Sequence, residues 1–253
     1  MDFQLKGKVA IVTGGNGGIG LGMATGLAQA GAALLIAGRN PGKNAAAVKT
    51  LEALGARAAA VEADVTVPAA CRALVEAALE RFGRLNILVN NAGINIRKQP
   101  QDYTPEEWKS VLDTNLTSAF LCSQAAYPAM QNAGGGKIIN IGSMLSIFGA
   151  AFAGPYGASK GGMVQLTKSL ASAWARDNIQ VNAVLPGWID TDLTRQARKD
   201  VAGLHERVLA RTPAGRWGDP KDFAGIAVFL ASSASDFVTG AAIAVDGGYS
   251  SQG

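Results

Sequence analysis

The chain has 253 residues, of which 48% are hydrophobic and 17% charged, enough apolar material for the core of one α/β domain. Its 23 Lys and Arg against 19 Asp and Glu give a net charge of +4 without a block of like charge, which suits an anionic ligand better than nucleic acid. Cys71 and Cys122 show no ligand spacing, so the sequence predicts no metal site and no disulfide framework, but two buried small side chains. The amino terminus lacks the pattern of a secretory signal, which predicts a cytoplasmic protein.

Short apolar runs rich in Val and Ile alternate with longer segments rich in Ala and Leu. Strands that are apolar throughout and separated by helix-length segments are typical of parallel sheets covered on both faces. The predicted strands are 9–12, 33–38, 87–90, 137–142, 180–186 and 242–245, with one more before Asp64. The predicted helices are 18–30, 41–54, 68–82, 105–131, 156–176 and 220–231. The sequence therefore predicts an α/β fold in one domain, residues 1–253, with a doubly wound parallel sheet.

The first strand and helix lie in a stretch, residues 9–38, that has no charged side chain and is long enough to span a bilayer. Glycines crowd its first half and would break a spanning helix near its start, so we predict no membrane span. The series Gly18, Gly22 and Gly26 is compatible with pairing of membrane helices. It equally permits close packing of a helix on a sheet, which is the interpretation we favour.

A glycine-rich turn, TGGNGGIG at residues 13–20, follows the first predicted strand and leads into a helix. Glycines at such a turn let backbone N–H groups and the helix N-terminus approach a pyrophosphate. A merely structural turn explains the glycines about as well when the motif is taken alone.

The end of the second predicted strand reads Gly38-Arg39-Asn40, where an NAD enzyme of this fold usually carries an acidic residue on the ribose 2′-hydroxyl. No carboxylate repels a phosphate there, and Arg39 offers a planar guanidinium, so we predict that NADP(H) is preferred and NAD(H) is also accepted. Replacing Gly38-Arg39 by Asp and a neutral residue should reverse that preference. Against this interpretation, Asn16 stands in the turn where a basic residue would help, and Arg39 could instead cover the adenine face.

Tyr156 and Lys160 lie one helical turn apart, on the same face of a predicted helix. A nearby cation stabilises a phenolate, so Lys160 is predicted to tune the pKa of Tyr156 toward proton transfer. Ser143 stands at the end of the preceding predicted strand. This placement makes the three side chains a candidate catalytic group, although a Tyr and a Lys at this spacing also occur by chance.

Residues 188–219 show no clear periodicity and follow a predicted strand end, where doubly wound folds bind ligands. We predict that this segment, hereafter the lid, covers the substrate; an ordinary surface excursion is the alternative. Trp188 and Trp217 bracket the lid and either line a pocket or pack together. His205, the only histidine, is predicted to be an exposed helix residue, so no hydrolase triad is expected.

Taken together, these motifs resemble the short-chain dehydrogenase/reductase family. The turn fits T-G-x-x-x-G-x-G, Asn90-Asn91-Ala92-Gly93 fits N-N-A-G, and Pro186-Gly187 fits the P-G motif after the sixth strand. The resemblance runs to VDGG at residues 245–248 and implies a Rossmann-type fold, often assembled as a homotetramer. The motifs stand in the family's order and spacing, which makes their combination far more specific than any one of them.

The resemblance also implies roles for the site residues. Tyr156 would be the general acid/base, Ser143 would hold the substrate oxygen, and Lys160 would also bind the nicotinamide ribose. Asn115 would support a proton-relaying water. The residues implied to bind the cofactor are Gly14, Asn16, Gly18, Ile19, Gly20, Arg39, Asp64, Val65, Asn91, Lys160, Pro186, Gly187, Ile189 and Thr191.

The assignment of Asp64 has an alternative, and two further residues, Arg97 and Trp188, concern the substrate. Asp64 would contact the adenine, or it would cap the helix that starts at Pro68. The stretch from Asn90 to Ala126 resembles the gluconate 5-dehydrogenase and 2-deoxy-gluconate 3-dehydrogenase subgroup, in which Arg97 would hold a sugar-acid carboxylate. Arg97 could instead lie on the surface or in a subunit contact, and Trp188 is a second candidate for substrate contact.

The substrate itself stays open at this stage. Similar family members reduce 3-oxoacyl thioesters, cyclic ketones and steroids, and the composition of the lid does not separate these substrates from keto sugar acids. A non-catalytic NADP-binding sensor is the alternative from another functional class, and the complete catalytic group argues against it.

Overall fold

The computed structural model describes residues 3–252, which form a sheet of seven parallel strands with helices on both faces. The strands run in the order β3-β2-β1-β4-β5-β6-β7 across the sheet. This arrangement confirms the predicted doubly wound α/β fold. The strands are β1 (Val9–Thr13), β2 (Ala33–Gly38), β3 (Ala58–Glu62), β4 (Ile87–Asn90), β5 (Gly136–Ile141), β6 (Ile179–Pro186) and β7 (Ala242–Val245).

The helices begin close to the predicted positions because proline and capping residues mark their first turns. Asn40 caps α2 by accepting a hydrogen bond from Lys43 N, and Thr104 forms a capping box with Glu107 at the start of α4. The helices are α1 (Gly18–Gln29), α2 (Pro41–Glu52), α3 (Pro68–Phe82), α4 (Pro105–Leu112), α5 (Ser118–Asn132), α6 (Gly154–Trp174), α7 (Asp192–Asp200), α8 (Leu204–Arg211) and α9 (Ala224–Ala231).

Two cores form, one on each face of the sheet, because successive strand side chains point to opposite sides. On one face, Val12 of β1 packs with Met23 of α1 and Phe223, all fully buried. On the other face, Ile11 of the same strand packs with Leu74 of α3. Strands buried on both sides explain why their sequences are apolar throughout.

The predicted helix 105–131 is interrupted in the structure. A π turn, Asp113–Thr117, separates α4 from α5 and turns the side chain of Asn115 into the interior. Single π turns of this kind occur often at functional sites. The predicted helix 220–231 likewise starts with a 3₁₀ turn, Pro220–Phe223, before α9 begins.

The lid is more ordered than its sequence indicates, since it contains α7 and α8. Both helices are strongly polar, and few of their residues are buried: Ala197 in α7, and Leu204 and Val208 in α8. The two helices are also short, nine and eight residues, so each offers little more than two turns in which a helical repeat could be recognised.

The glycine series of α1 lies against the chain around α9. A Cβ at Gly22 would lie 2.0 Å from the carbonyl oxygen of Pro220, and one at Gly26 would lie 2.6 Å from that of Ala224. The series therefore serves packing of α1 on another helical segment, and our prediction of packing on the sheet is wrong for these two glycines. Within residues 3–252, no helix is both long and apolar enough to cross a membrane.

The two cysteines are buried, as predicted, but they are not far apart. Cys71 of α3 and Cys122 of α5 bring their Sγ atoms to 3.4 Å as free thiols. The thiol of Cys71 also donates to the carbonyl oxygen of Val65. Helix packing across one face of the sheet produces this contact, which sequence spacing does not indicate.

Candidate active site

A cleft of about 600 Å³ opens at the carboxyl ends of the central strands. The strand order reverses between β1 and β4, whose last residues, Thr13 and Asn90, are register partners. Connections that leave the sheet on opposite faces at such a point create a crevice, which is where doubly wound folds bind ligands. The walls come from the loops after β1 to β6 and from the start of α7.

The glycine turn after β1 adopts a backbone conformation that is unfavourable for residues with a side chain. Gly14 and Gly18 have φ values of +61° and +50°, in the left-handed region. A Cβ at Gly20 would lie 2.4 Å from Asn91 Nδ2 and 2.5 Å from Gly14 O, so the turn folds tightly onto α1. Gly14 and Gly18 line the cleft, whereas Gly20 lies behind it as a packing residue.

Asn91 fastens this turn to the end of β4. Its Nδ2 donates to Thr13 O at 3.1 Å and to Gly14 O at 3.0 Å, and its backbone N donates to Thr13 Oγ1 at 3.0 Å. The second Asn of the N-N-A-G motif therefore holds the turn in shape besides lining the cleft.

At the end of β2, Arg39 is exposed and lines the cleft. Beside it, a Cβ at Gly38 would lie 2.3 Å from Asn16 Nδ2, and that amide donates to Asn44 Oδ1 at 2.7 Å. The Asn16 side chain therefore occupies the space that an acidic side chain at position 38 would need. Exchange of Gly38 for Asp, the substitution expected to reverse cofactor preference, cannot be accommodated unless Asn16 moves or is replaced as well.

Asp64 lies in the loop after β3 and lines the cleft with Val65. Its Oδ1 accepts hydrogen bonds from Thr66 N at 3.0 Å and from Thr66 Oγ1 at 2.8 Å, which lower the pKa of Asp64. Helix α3 starts after Val67, with no side chain bonded to its first turn. The alternative that Asp64 caps this helix is therefore wrong, and its outer oxygen stays available to the cleft.

Ser143 and Tyr156 meet across the cleft floor. Ser143 follows β5 and accepts a hydrogen bond from Leu145 N at 3.1 Å, which fixes its hydroxyl. Burial raises the pKa of Tyr156, while a hydrogen bond from Ser143 and the charge of Arg97 act in the opposite direction. Because the phenol stays protonated at neutral pH, it is in the form that can donate a proton.

Lys160 lies below the phenol on α6 and is only 3% exposed. Its Nζ donates to Ile141 O at 2.6 Å and lies 5.6 Å from the centre of the Tyr156 ring. Burial lowers the pKa of Lys160 to about 8. We predicted that this cation would lower the pKa of Tyr156, but burial dominates and the phenol pKa is raised. The ammonium donates to the strand carbonyl, and the net shift of the Tyr156 pKa is upward.

Asn115 is fully buried and does not reach the cleft surface. Its Oδ1 accepts from Ile94 N at 2.8 Å, while its Nδ2 donates to Ile94 O at 2.9 Å and to Ser159 Oγ at 3.0 Å. Both amide protons are thus used to hold the loop after β4 against α6. A water in the cleft would have to use another atom of this residue.

Arg97 extends from the loop after β4 toward the lid, and its side chain is 10% exposed. Its Nη2 donates to Leu193 O at 3.1 Å, and its Nη1 pairs with Asp200 Oδ2 at 3.4 Å, both on α7. Its charge acts to lower the pKa of Tyr156, against the larger effect of burial. The alternative of an exposed surface position is therefore wrong.

The two tryptophans of the lid, Trp188 and Trp217, belong to an aromatic cluster. The rings of Trp188 and Trp217 pack edge to face with centroids 5.7 Å apart, and Arg198 lies 4.3 Å over Trp217. Trp217 Nε1 donates to Nδ1 of His205, which is an exposed residue of α8 as predicted. Trp188 is absent from the described residues that line the cleft, so the structure favours packing over substrate contact for it.

The structure brings most of the predicted site residues into one cleft. Asn115, Arg97, Trp188 and Gly20 are the exceptions, because they lie behind or beside its walls. The predicted residues that line the cleft are Gly14, Asn16, Gly18, Ile19, Arg39, Asp64, Val65, Asn91, Ser143, Tyr156, Lys160, Pro186, Gly187, Ile189 and Thr191.

Comparison with known proteins agrees with this geometry. The family described as enoyl-(acyl carrier protein) reductase matches residues 14–250. The 2-dehydro-3-deoxy-D-gluconate 5-dehydrogenase of Escherichia coli K12 is 46% identical over 250 residues, which are 98% of this chain and 97% of that protein. The chain belongs to the short-chain dehydrogenase/reductase family. It is an NAD(P)-dependent oxidoreductase, as the motifs predicted.

Two further relatives of this short-chain dehydrogenase are informative. The 5-keto-D-gluconate 5-reductase of Escherichia coli K12 is 42% identical over 246 residues, 97% of this chain and 96% of that protein. A gluconate 5-dehydrogenase from Burkholderia cenocepacia J2315, solved in complex with NADP and tartrate, has a TM-score of 0.94 and 42% identity. That match covers 100% of this chain and 98% of that one.

Sequence reasoning missed several cleft residues of this short-chain dehydrogenase, and two of them, Lys43 and Asp192, carry charged side chains. Both stand in the first turn of a helix that follows a strand end, α2 and α7. Pro41 and the capping pair Thr191 and Thr194 marked those helix starts. The capping pair lies in the lid, where we predicted no helix from the sequence.

Proposed function

We propose that the enzyme interconverts a keto sugar acid and the corresponding secondary alcohol and that it prefers NADP(H) over NAD(H). The observation that carries the proposal is the position of Arg97, whose largely buried guanidinium is held beside the cleft by Leu193 O and Asp200 of α7. A guanidinium can hold a carboxylate through two parallel hydrogen bonds. A carboxylate held there would set a carbonyl of the same molecule beside the phenol. Similarity to enzymes named for sugar acids supports this choice.

The residues of the cleft fit a nicotinamide dinucleotide. The turn at Gly14 and Gly18 presents backbone N–H groups and the start of α1, which suit a pyrophosphate. Arg39 stands exposed at the end of β2, where a 2′-phosphate would lie, and Asn16 fills the place of a competing carboxylate. Similarity to a structure that contains NADP supports the same preference.

When bound, the nicotinamide supplies or accepts the hydride. Tyr156 Oη gives a proton to the substrate oxygen during reduction and takes one during oxidation. Ser143 Oγ donates a hydrogen bond to that oxygen while negative charge develops on it. Lys160, buried under the phenol, would hold the ribose of the cofactor, and Asn115 would support a proton-relaying water through an atom other than its amide nitrogen.

The proposal is tested with a substrate panel, both cofactors and the Arg97→Ala variant. We expect kcat/KM for a keto sugar acid to fall by about 10- to 150-fold, the loss of a charge-assisted contact, while a neutral ketone of similar size changes little. Because Arg97 also contacts the lid, Asp200→Asn serves as the matched control. That variant removes the ion pair to α7 and leaves the guanidinium in place.

Four outcomes would count against the proposal. Equal losses on acid and neutral ketone would remove the sugar-acid assignment, as would an Asp200→Asn variant that reproduces the Arg97→Ala effect. A wild-type enzyme that uses NADH more efficiently than NADPH would remove the cofactor preference. NADPH binding without turnover of any ketone would indicate a sensor.

We also propose that the enzyme is a homotetramer of the cytoplasm. Two large apolar side chains stay exposed on the α4–α5 run, Trp108 at 44% and Phe120 at 42%. Such side chains on a soluble surface favour burial against another subunit. We propose that the exposed face of α4 and α5 between these two side chains forms this contact.

A further inference from the structure

An ion pair connects the lid with the segment that follows β2. Lys43 Nζ, in the first turn of α2, donates to Asp192 Oδ2 at 3.1 Å, and Asp192 is the first residue of α7. Both residues line the cleft, and their side chains are 58% and 75% exposed. Pairs as exposed as this contribute little to stability, so Lys43 can change partner at small cost.

The position of Lys43 is fixed by its backbone. Asn40 Oδ1 accepts from Lys43 N at 2.9 Å, which holds the first turn of α2 directly after Arg39. Arg39 directly precedes this capped turn and Lys43 lies within it, so both residues line the same end of the cleft. Within residues 3–252, Arg39 has no acidic partner at ion-pair distance.

Asp192 opposes an anion at this end of the cleft. Its Oδ1 accepts a hydrogen bond from Arg195 Nη2 at 2.7 Å, and this bond and that from Lys43 lower its pKa, so it stays ionised. The carboxylate of Asp192 would repel a phosphate bound beside Arg39. When Lys43 turns toward the phosphate, Arg195 still compensates Asp192, so the carboxylate is not left alone.

Resting on the NADP(H) preference proposed above, we propose that Lys43 is a second cation that recognises the 2′-phosphate and that Asp192 competes with the phosphate for it. Two cations on one phosphate give a larger difference between NADP(H) and NAD(H) than Arg39 alone, because the unphosphorylated ribose gains from neither. The lid residue Asp192 thus controls the size of the difference in affinity between NADP(H) and NAD(H).

The test measures binding of adenosine 2′,5′-bisphosphate and of ADP by titration calorimetry, in the full-length protein at fixed ionic strength. Lys43→Gln should weaken bisphosphate binding by about ten-fold and ADP binding by less than about two-fold. Asp192→Asn should strengthen bisphosphate binding by about two- to five-fold, because it removes the competing charge. Lys49→Gln is the matched control: it makes the same charge change on the exposed side of α2, outside the cleft.

Several results would overturn the proposal. These are a Lys43→Gln variant with unchanged bisphosphate affinity, equal losses for both ligands, a Lys49→Gln variant with the same effect, or weaker binding in Asp192→Asn. An Arg39→Gln variant measured in parallel separates this failure from failure of the cofactor assignment. If Arg39→Gln weakens bisphosphate binding and Lys43→Gln does not, only the role of Lys43 is wrong. If neither does, the NADP(H) preference fails as well.

Discussion

The phenol of Tyr156 and the ammonium of Lys160 lie together at the base of the cleft, and burial shifts the pKa of each toward its uncharged form. A protonated phenol and a lysine with a pKa of about 8 differ from the pair expected when a lysine activates a tyrosinate. A protonated Tyr156 can donate a proton, which is what the proposed reduction of a carbonyl requires.

Removing the phenol oxygen tests this role. Tyr156→Phe should lower kcat by about 10²- to 10⁴-fold, since it removes the proton donor while preserving nearly all of the side-chain volume. The dissociation constant for NADPH, measured by fluorescence titration, should stay within about two-fold of the wild-type value. Retention of a large fraction of kcat would show that another group transfers the proton.

The lowered pKa of Lys160 predicts a pH dependence of stability. The unfolded chain binds this proton more tightly than the folded chain, so the folded state gains stability as pH rises from about 8 toward the ordinary lysine value near 10.4. The gain at this buried group is about 3 kcal/mol, which Lys160→Met should lack.

The measurement is urea unfolding without cofactor, at a series of pH values from neutral to about 10, for wild type and Lys160→Met. Comparing the two proteins cancels the titration of groups that both contain. Parallel stability curves across this range would contradict the assignment of a depressed pKa to Lys160.

At the scale of elements, small residues set how closely helices approach each other. Helix α1 carries the glycine turn at its start and packs by Gly22 and Gly26 against Pro220 and Ala224. A shift of α1 away from that contact would also move the backbone N–H groups that line the cleft. Packing far from the ligand therefore positions the proposed pyrophosphate site.

Gly22→Ala tests this coupling. A Cβ there would lie 2.0 Å from a backbone oxygen that cannot rotate away, so we expect a loss of about 1–3 kcal/mol in the free energy of unfolding and weaker cofactor binding. Gly161→Ala in α6 is the control, because its Cβ would have no neighbour within 4 Å. That change should be neutral or stabilise the protein by up to about 1 kcal/mol. Equal effects of both substitutions would contradict the argument.

At the scale of the whole molecule, the sheet places the carboxyl ends of β1 to β6 at one edge, and Arg97 and Lys43 connect the lid to that edge. The ends of the cleft that we propose for substrate and cofactor are therefore each connected to α7 by one basic side chain. The proposed contacts with a carboxylate and with a phosphate use the same two side chains that anchor the lid.

The proposed tetramer is also a property of the whole molecule. Sedimentation velocity at micromolar concentration should give a mass of four times 25.9 kDa. Trp108→Glu combined with Phe120→Glu should shift the distribution to smaller species, because a buried charge opposes an apolar contact. Leu54→Glu, an exposed apolar position at the end of α2, should leave the mass unchanged. A monomeric wild-type protein would contradict the proposal.

The sequence by itself determined the fold class and most of the cleft. Apolar strands such as 33–38 and 87–90 can lie only where both faces are covered, and turn residues such as Gly14 and Gly18 act through local backbone geometry. Tyr156 and Lys160 could be paired because a helix fixes residues four apart on one face. Signals of this kind depend on neighbours along the chain, so they can be detected without a structure.

Tertiary structure alone decided what depends on contacts between distant segments. The direction of the Tyr156 pKa shift follows from burial, the position of Arg97 follows from α7, and the pairing of Lys43 with Asp192 joins residues 149 positions apart. The lid helices were not predicted because they are only nine and eight residues long and bury few apolar side chains. Burial and charge pairing are sums over the packed molecule, so local sequence patterns do not contain them.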